Sequence, residues 1–409
     1  MRLPVPHPLP LCHGPLRRRN SRNKRGCARP HHVVPPLLIA APTCPSPVPR
    51  PWPLSEQESK LELTAAIEFD IRDVNDQPAA FRDSFEQVDV AEESGFHSIW
   101  LAERHFQPQR SVLSSPIVVA AAIANRTERV RVGIAVQVLP LNHPIRIAEE
   151  AATVDQISQG RFNFGIGRSG LTISYSGYNI PYSESRGRFW ESLEVILKAW
   201  TTDEFSYEGE FYNFHNVKLM PKPVQKPHPP LRMACASLES FARAGSMGIP
   251  IFVNVGFGTF EDLKARIGHF AEAWREAGIP GEPDVGIRVP VYTAADPERA
   301  LSEPRESMLA FYQRQSNLMI SRLGDEGVTD PEGMRRRAEA LAQLSYEEVL
   351  DSRVVFGSPD EVIDKFEHLK DELGISMVVA DVNAGGRVPP DQVLTSMKLL
   401  GREVAPNLE

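Results

Sequence analysis

The sequence predicts an α/β fold, a (β/α)8 TIM barrel with two insertions, and three observations support this prediction. Segments with strand and helix patterns alternate seven to eight times between residues 61 and 409, which fits a closed barrel better than an open doubly wound sheet. The segment 132–139 is apolar or small except at Gln137, as in a parallel strand buried on both faces. The 349 residues that follow the first 60 suffice for a barrel of roughly 250 residues with insertions. The open sheet is the alternative.

The first four repeats follow from apolar periodicity and from the prolines and glycines at the element ends. Pro140 and Pro144 end one strand and open the next helix, and Gly160 closes that helix. Strands are expected at 63–69, 98–102, 132–139 and 162–168, and helices at 78–94, 116–124, 144–157 and 183–200.

The second half of the chain continues the alternation and contains both insertions. Residues 205–220 alternate around Gly209, which predicts an inserted β-hairpin. Residues 296–350 are mostly charged and helical, and we expect this region to include a mobile lid. Strands are expected at 231–235, 249–253, 285–292 and 375–381, and helices at 238–247, 260–277, from Pro359 onward and at 389–404.

The first 60 residues differ in composition from the rest and are expected to lie outside the folded domain. They contain 14 of the 36 prolines, and a basic cluster precedes a short apolar run that prolines interrupt. This pattern resembles a secretory signal only faintly. A disordered extension, or a start codon placed too far upstream, explains it better. The domain boundaries are therefore predicted as an extension at 1–60 and a barrel at 61–409.

The folded part is acidic and poor in cysteine. Of 45 basic and 53 acidic residues, the first 60 positions hold ten and two, which leaves 35 and 51, a net charge of −16. This balance argues against a nucleic-acid partner. Cys235 is the single cysteine after residue 60, which suits a reducing, cytoplasmic compartment. No apolar run of about 18 residues exists, so no membrane span is expected.

One strand end carries the signature of a ligand site. Phe162, Phe164 and Ile166 alternate with Asn163, Gly165 and Gly167, so one face of this strand is bulky and the other is nearly bare. We expect the bare face to leave room for a ligand. Arg168 then places a cation at the carboxyl end of the strand, where parallel α/β folds bind ligands.

Four segments resemble the bacterial luciferase family, flavin-dependent monooxygenases built on a (β/α)8 barrel. The likeness runs from about residue 63 to residue 409 and is closest to the luciferase α subunit and its relatives in secondary metabolism. The segments are Trp100-Leu-Ala-Glu-Arg-His-Phe, the stretch from Val132 to Arg168, Ala234-Cys-Ala-Ser-Leu-Glu-Ser, and the carboxyl-terminal pair Gly357-Ser-Pro-Asp-Glu-Val and Ser396-Met-Lys-Leu-Leu.

The resemblance implies a two-component monooxygenase that acts on a small organic metabolite. A separate flavin reductase would supply FMNH2, and the enzyme would use O2 through a flavin hydroperoxide. It also implies a homodimer and no metal. Arg168, Ser237 and Ser240 would bind the FMN phosphate, since a phosphate favours a guanidinium, hydroxyls and a helix N-terminus. A non-proline cis peptide at Ala135–Val136 would lie under the flavin ring. Gln137, Gly167 and Ser169 complete the implied cofactor contacts.

The implied catalytic residues are His105 and Glu103, and here the chain departs from luciferase. Arg104 stands where the luminescent members have their catalytic histidine, and Gly167 stands where the α subunit has a reactive cysteine. Luminescence with long-chain aldehydes is therefore not expected. Each assignment has a structural alternative: His105 as a core histidine, Glu103 as a carboxylate paired with an arginine, Ser237 and Ser240 as a helix cap, and Arg168 in a salt bridge to Glu149 or Glu150.

Two other functions are compatible with this sequence. One is a deazaflavin-dependent oxidoreductase, which shares the barrel and the phosphate site but transfers hydride without oxygen. The other is a non-catalytic partner subunit like luciferase β, against which the intact phosphate motif and the long insertion at 296–350 argue.

Overall fold

The computed structural model describes residues 60–256, 258–325, 328 and 330–408. The predicted extension at residues 1–60 lies outside the described residues except for Lys60. None of the helices in these ranges is long and apolar enough to cross a bilayer. The strands are β1 (Glu62–Ile67), β2 (Ser98–Leu101), β3 (Arg131–Val138), β4 (Phe162–Gly167), β5 (Phe205–Glu208), β6 (Asn213–Val217), β7 (Leu231–Ala234), β8 (Ile251–Asn254), β9 (Val285–Thr293), β10 (Val355–Gly357) and β11 (Met377–Asp381).

Helices separate most of these strands, as the alternating pattern predicts. Asp76, Ser237, Thr259 and Ser345 each cap the N-terminus of a helix through a side-chain oxygen. The helices are α1 (Gln77–Ser94), α2 (Pro116–Arg126), α3 (Pro144–Ile157), α4 (Thr172–Gly177), α5 (Ser185–Thr201), α6 (Leu238–Met247), α7 (Phe260–Glu276), α8 (Pro297–Ser302), α9 (Arg305–Ser321), α10 (Pro331–Ala342), α11 (Tyr346–Ser352), α12 (Pro359–Leu373) and α13 (Pro390–Leu399).

Eight parallel strands close into a barrel in the order β1, β2, β3, β4, β7, β8, β9, β11 and back to β1. The predicted (β/α)8 barrel is therefore confirmed, and the open sheet is excluded. The short β10 pairs in parallel with the end of β9, outside this ring. The predicted hairpin is the antiparallel pair β5–β6, inserted between α5 and β7.

Residues alternate along each strand between the helices and the barrel interior. Phe162, Phe164 and Ile166 are fully buried and join the core cluster between strands and helices. A smaller cluster of Trp100, Phe252, Met377 and Val379 fills the interior. The inward positions above this cluster are small or polar, and we refer to the carboxyl-terminal end of the barrel as the mouth.

The expected room at Gly165 and Gly167 is filled by β3. A Cβ atom on Gly165 would lie 2.1 Å from the carbonyl oxygen of Ile134, and one on Gly167 would lie 2.3 Å from Val136 Cγ2. The register of β3 against β4 shifts between Ile134 and Gln137, at the level of Gly165. The prediction that the bare face itself leaves ligand space is therefore wrong at these two positions.

The second insertion forms α8 to α11, and α9 reaches across the mouth. Arg314 on α9 donates to the carbonyl oxygens of Ala384 and Gly385, just after β11. Beyond the carboxyl-terminal end of α9, Asp325 accepts from the hydroxyl of Thr172, the first residue of α4 after β4. Strands β4 and β11 lie four places apart in either direction around the ring. The insertion therefore spans the mouth, where a lid is expected; its motion stays a prediction.

Candidate active site

All the predicted site residues lie at the carboxyl-terminal ends of neighbouring strands. The four strands concerned, β2, β3, β4 and β7, are consecutive in the barrel. At the other end of the barrel, a cavity of about 1200 Å³ is lined by Trp100, Arg131, Arg232 and others, and none of the predicted residues lines it. The predicted residues are Glu103 and His105 after β2, Ala135, Val136 and Gln137 in β3, Gly167, Arg168 and Ser169 at the end of β4, and Ser237 and Ser240 after β7.

Glu103 and His105 form a buried hydrogen-bonded pair. His105 Nε2 lies 2.7 Å from Glu103 Oε1, and the two residues are 6% and 8% exposed. The other carboxylate oxygen accepts from Gln137 Nε2 at 2.5 Å and from the Val138 amide at 2.8 Å. Because donors from β3 hold this carboxylate, its position against His105 is fixed. The alternative in which Glu103 pairs with an arginine is wrong.

The second ring nitrogen of His105 faces Tyr178, which follows α4. The Tyr178 hydroxyl lies 3.2 Å from His105 Nδ1, and the two rings meet edge to face at 5.0 Å. With Nε2–H donated to Glu103, Nδ1 is the acceptor for this hydroxyl, an assignment made from the hydrogen-bond network. Burial, with a contribution from Glu103, raises the pKa of Tyr178. Tyr178 therefore keeps its proton at neutral pH.

The side chains that line the mouth beside this pair are small and partly exposed. The peptide bond between Ala135 and Val136 is cis, at the position that the resemblance implies. Both side chains are half-buried and pack with Ala66 against the interior cluster. Gln137 is 3% exposed, and its Oε1 atom has no hydrogen-bond partner among the described residues. An unsatisfied buried acceptor next to an open wall is consistent with a ligand that donates a hydrogen bond there.

Arg168 stands at the rim of the mouth without a carboxylate partner in the described ranges. Its Nη1 donates to Ser185 Oγ at 3.0 Å, and its guanidinium lies 5.6 Å from the centre of the Tyr182 ring. The proposed salt bridge to Glu149 or Glu150 is absent, because both carboxylates lie 3.7 Å from Arg146 instead. The Arg168 guanidinium is therefore available to an anion.

Ser237 and Ser240 cap the N-terminus of α6, which follows β7. Strand β7 is the barrel neighbour of β4, which Arg168 follows. Ser237 Oγ accepts from the Ser240 amide at 3.3 Å, and Ser240 Oγ accepts from the Ser237 amide at 3.1 Å. The capping alternative is therefore confirmed, and both residues remain partly or fully exposed. Strands β4 and β7 are paired, and an ion pair of 2.8 Å between Arg186 and Glu239 ties α5 to α6. The serines and Arg168 thus lie on adjacent strand ends, although no contact joins them directly.

A charged cluster on the other side of the mouth was missed by the sequence analysis. Its centre is Glu68, just after β1, whose carboxylate lies 3.3 Å from Arg104, 2.9 Å from Arg110 and 2.5 Å from Arg288. Glu68 is 4% exposed. Burial alone would raise its pKa, but the three guanidinium groups outweigh burial and hold the pKa well below its usual range. Glu68 is therefore an anion at any pH near neutrality.

Two further carboxylates complete this charged cluster. Asp381, at the end of β11, lies 2.6 Å from Arg288, and Asp70 pairs with Arg110. Burial raises the pKa of Asp70 to about 6, against the opposing effect of Arg110. Asp70 follows β1, and Asp381 is the last residue of β11. The rule that selects Arg168, a charged residue at the carboxyl end of a strand, therefore also selects these two. Arg288 lies within β9, where a charged residue between apolar neighbours is itself a signal.

Comparison with known proteins identifies the class to which this barrel and its mouth belong. The sequence profile of the luciferase-like monooxygenases matches residues 62–377. The chain belongs to this family, which confirms the resemblance found in the sequence.

Three curated relatives illustrate the likeness. The oxygenase component of the flavin-dependent trigonelline monooxygenase of Acinetobacter baylyi is 28% identical over 73% of this chain and 82% of that protein. The alkanal monooxygenase alpha chain of Photorhabdus luminescens is 27% identical over 78% of this chain and 89% of its own length. The protein y4wF of Sinorhizobium fredii is 34% identical, but this match covers 43% of the chain and only about half, 51%, of that relative.

Solved structures show the same fold at low identity. Monooxygenase RslO1 of Streptomyces bottropensis has a TM-score of 0.69 at 24% identity, over 85% of this chain and 99% of its own. The oxygenating constituent of 3,6-diketocamphane monooxygenase of Pseudomonas putida, in complex with FMN, has a TM-score of 0.70 at 20% identity, over 86% and 99%. The F420-dependent tetrahydromethanopterin reductase of Methanopyrus kandleri has a TM-score of 0.65 at 21% identity, over 86% and 100%.

Proposed function

We propose that this chain is the oxygenase component of a two-component system that uses FMNH2 and O2 to oxygenate a small organic metabolite. A separate flavin reductase would supply the reduced cofactor. Residues 61–409 would form the catalytic domain, working as a cytoplasmic homodimer. The relatives support this proposal, because one is the oxygenase component of a flavin-dependent monooxygenase and another is an alkanal monooxygenase alpha chain.

The observation that carries the proposal is that the Arg168 guanidinium has no carboxylate partner in the described residues and follows β4, the barrel neighbour of the strand that leads into α6. Arg168 lacks a carboxylate partner within the described ranges, and Ser237, the N-cap of α6, follows the neighbouring strand β7. A guanidinium, exposed hydroxyls and a helix N-terminus together match a phosphate dianion. Glu239 in the first turn of α6 would oppose an anion, but Arg186 neutralises it at 2.8 Å.

The residues of β3 fit a flat ring that extends inward from this phosphate position. Ala135 and Val136 present small, half-buried side chains, and the unpartnered Oε1 of Gln137 lies beside them. A flavin ring has an N–H edge that such an acceptor can bind. Bound there in its reduced form, FMN would supply the electrons that activate O2.

We assign different roles to the two predicted catalytic residues. Glu103 is the positioning residue, because its carboxylate oxygens accept from His105, Gln137 and the Val138 amide. His105 is the catalytic residue, because its Nδ1 and the Tyr178 hydroxyl can hold or pass a proton at the rim of the mouth. The neighbouring Arg104 is engaged by Glu68, so it does not replace a catalytic histidine at that position.

Oxygen uptake tests the proposal directly. The purified chain is supplied with FMNH2 by an added flavin reductase, and products of candidate metabolites are analysed for 18O from 18O2. Uptake coupled to an 18O-labelled product supports the oxygenase. Tight binding of a deazaflavin with hydride transfer and no oxygen uptake would instead establish the dehydrogenase. Failure to bind either cofactor would establish a non-catalytic subunit.

A further inference from the structure

In and above the charged cluster, the guanidinium groups outnumber the carboxylates by one. Arg314, on α9, extends over the charged cluster and donates to the carbonyl oxygens of Ala384 at 3.3 Å and Gly385 at 3.2 Å. In the described part of the chain it forms no ion pair within 4 Å. It is half-buried beneath the insertion, so it does not have the free solvation of a surface arginine.

The charges of the cluster do not balance. Three carboxylates, those of Glu68, Asp70 and Asp381, face the four guanidinium groups of Arg104, Arg110, Arg288 and Arg314. All three carboxylates are already engaged, by Arg104, Arg110 and Arg288. The cluster therefore carries one excess positive charge, and Arg314 is the member without a carboxylate in contact.

This excess charge is costly in the absence of a ligand. Burial and repulsion from Arg110 together lower the pKa of Arg314 to about 10, against the opposing attraction of Asp70, Glu68 and Asp381. The hydrogen-bond partners of this half-buried guanidinium among the described residues are backbone carbonyls, so it lacks the directly contacting carboxylate that buried charges normally have. The structure thus maintains an arginine that an added anion would stabilise.

Arg314 lies on the opposite side of the barrel from the proposed phosphate site, so it is a candidate to bind the substrate rather than the cofactor phosphate. The phosphate candidates follow β4 and β7, whereas Arg314 is anchored to the loop after β11, diametrically across from β4. Arg104 of the cluster is the sequence neighbour of Glu103 and His105. The cluster therefore lies beside the proposed catalytic residue, under the insertion that spans the mouth.

We infer that the substrate of this enzyme is an organic carboxylate whose carboxylate group is bound by Arg314. The inference rests on the proposed function. A carboxylate accepts two parallel hydrogen bonds from a guanidinium, and the pairing is strong where water is largely excluded. The backbone carbonyls of Ala384 and Gly385 hold Arg314 in place for this contact. A neutral substrate would leave the excess charge uncompensated.

The test compares acids with their uncharged amides. Binding of benzoate and benzamide, and of hexanoate and hexanamide, is measured by calorimetry on protein saturated with FMN. Wild-type protein is expected to bind at least one acid at least tenfold more tightly than its amide, the scale of one charge-assisted hydrogen bond. The variant R314Q is expected to lose this preference while its amide affinity stays unchanged, and R314K to retain part of it.

The controls separate this inference from the proposed function. R305Q removes another arginine of α9, which is half-exposed and lies 3.7 Å from Glu347, and it is expected to behave like the wild type. FMN affinity and the melting temperature are measured for every variant to confirm a folded, loaded protein. Protein that does not bind FMN in its reduced form under anaerobic conditions contradicts the proposed function. Protein that binds FMN but shows no preference for either acid, or whose preference persists in R314Q, overturns the inference alone.

Discussion

The two sides of the barrel mouth differ in chemistry although the same strand alternation builds both. On the side of β3, β4 and β7, the inward positions are small and uncharged. On the side of β1, β9 and β11, the corresponding positions are charged. The first set is Ala135, Val136, Gly167 and Ala234, and the second is Glu68, Arg288 and Asp381. Under the proposed function, the uncharged side would hold the flavin ring, and the charged side would bind a polar group of the substrate.

The charged side is expected to be the more sensitive to substitution. Glu68→Gln would leave Arg104, Arg110 and Arg288 without their common anion, at a site that is 4% exposed. Breaking a buried ion pair from one side costs about 3–5 kcal/mol of unfolding free energy. Urea denaturation measures this loss. The matched control is Glu306→Gln, whose exposed carboxylate lies 3.1 Å from Arg387 and should contribute less than about 1 kcal/mol. Equal small effects from both variants would show that the cluster is not a buried ion-pair network.

The Asp70 carboxyl gives the charged side a pH dependence of known sign. Its pKa is raised by burial from 3.8 to about 6, so between these values the folded state holds a proton that the unfolded state has lost. Stability contributed by this proton is present at low pH and is lost as the pH rises through 6. The unfolding free energy of the wild type minus that of Asp70→Asn should therefore fall by up to about 3 kcal/mol from pH 4 to pH 7. A flat difference would contradict the burial of Asp70.

The uncharged side is expected to tolerate little added volume between its strands. Gly165→Ala would place a Cβ 2.1 Å from the carbonyl oxygen of Ile134, so backbone must move. A loss of about 1–3 kcal/mol is expected from such overpacking. Gly268→Ala, on the exposed face of α7 with nothing within 4 Å of the added atom, should be neutral or gain up to about 1 kcal/mol. Thermal melting of both variants checks this, and a neutral Gly165→Ala would disprove the close approach of β3.

The sequence predicted one side of the mouth far better than the other, and the reason is distance along the chain. Glu103, Gln137 and Arg168 lie in local motifs at successive strand ends, so each could be recognised on its own. Glu68 and Arg288 are brought together only when β9 and β11 close the barrel onto β1. Arg314 belongs to a helical insertion, and apolar periodicity does not predict the path of this insertion over the mouth.

The errors in detail also have physical causes. The alternation of small and large residues predicts β4 correctly, but it carries no information about how closely β3 approaches the glycines of β4. The sequence is compatible with Ser237 and Ser240 both as a cap and as phosphate ligands, because the two roles use the same exposed hydroxyls at a helix N-terminus. The cap is confirmed, and phosphate binding stays a prediction.

Anaerobic titration with reduced FMN tests the central claim, that the cofactor is anchored by Arg168 on the uncharged side of the mouth. Arg168→Ala is expected to weaken binding about 10- to 150-fold, the equivalent of about 1.5–3 kcal/mol for a charge-assisted hydrogen bond. Arg146→Ala removes an exposed arginine of α3 that lies 3.7 Å from Glu149 and Glu150, and it should leave the dissociation constant unchanged. A dissociation constant for Arg168→Ala equal to that of the wild type would contradict the account.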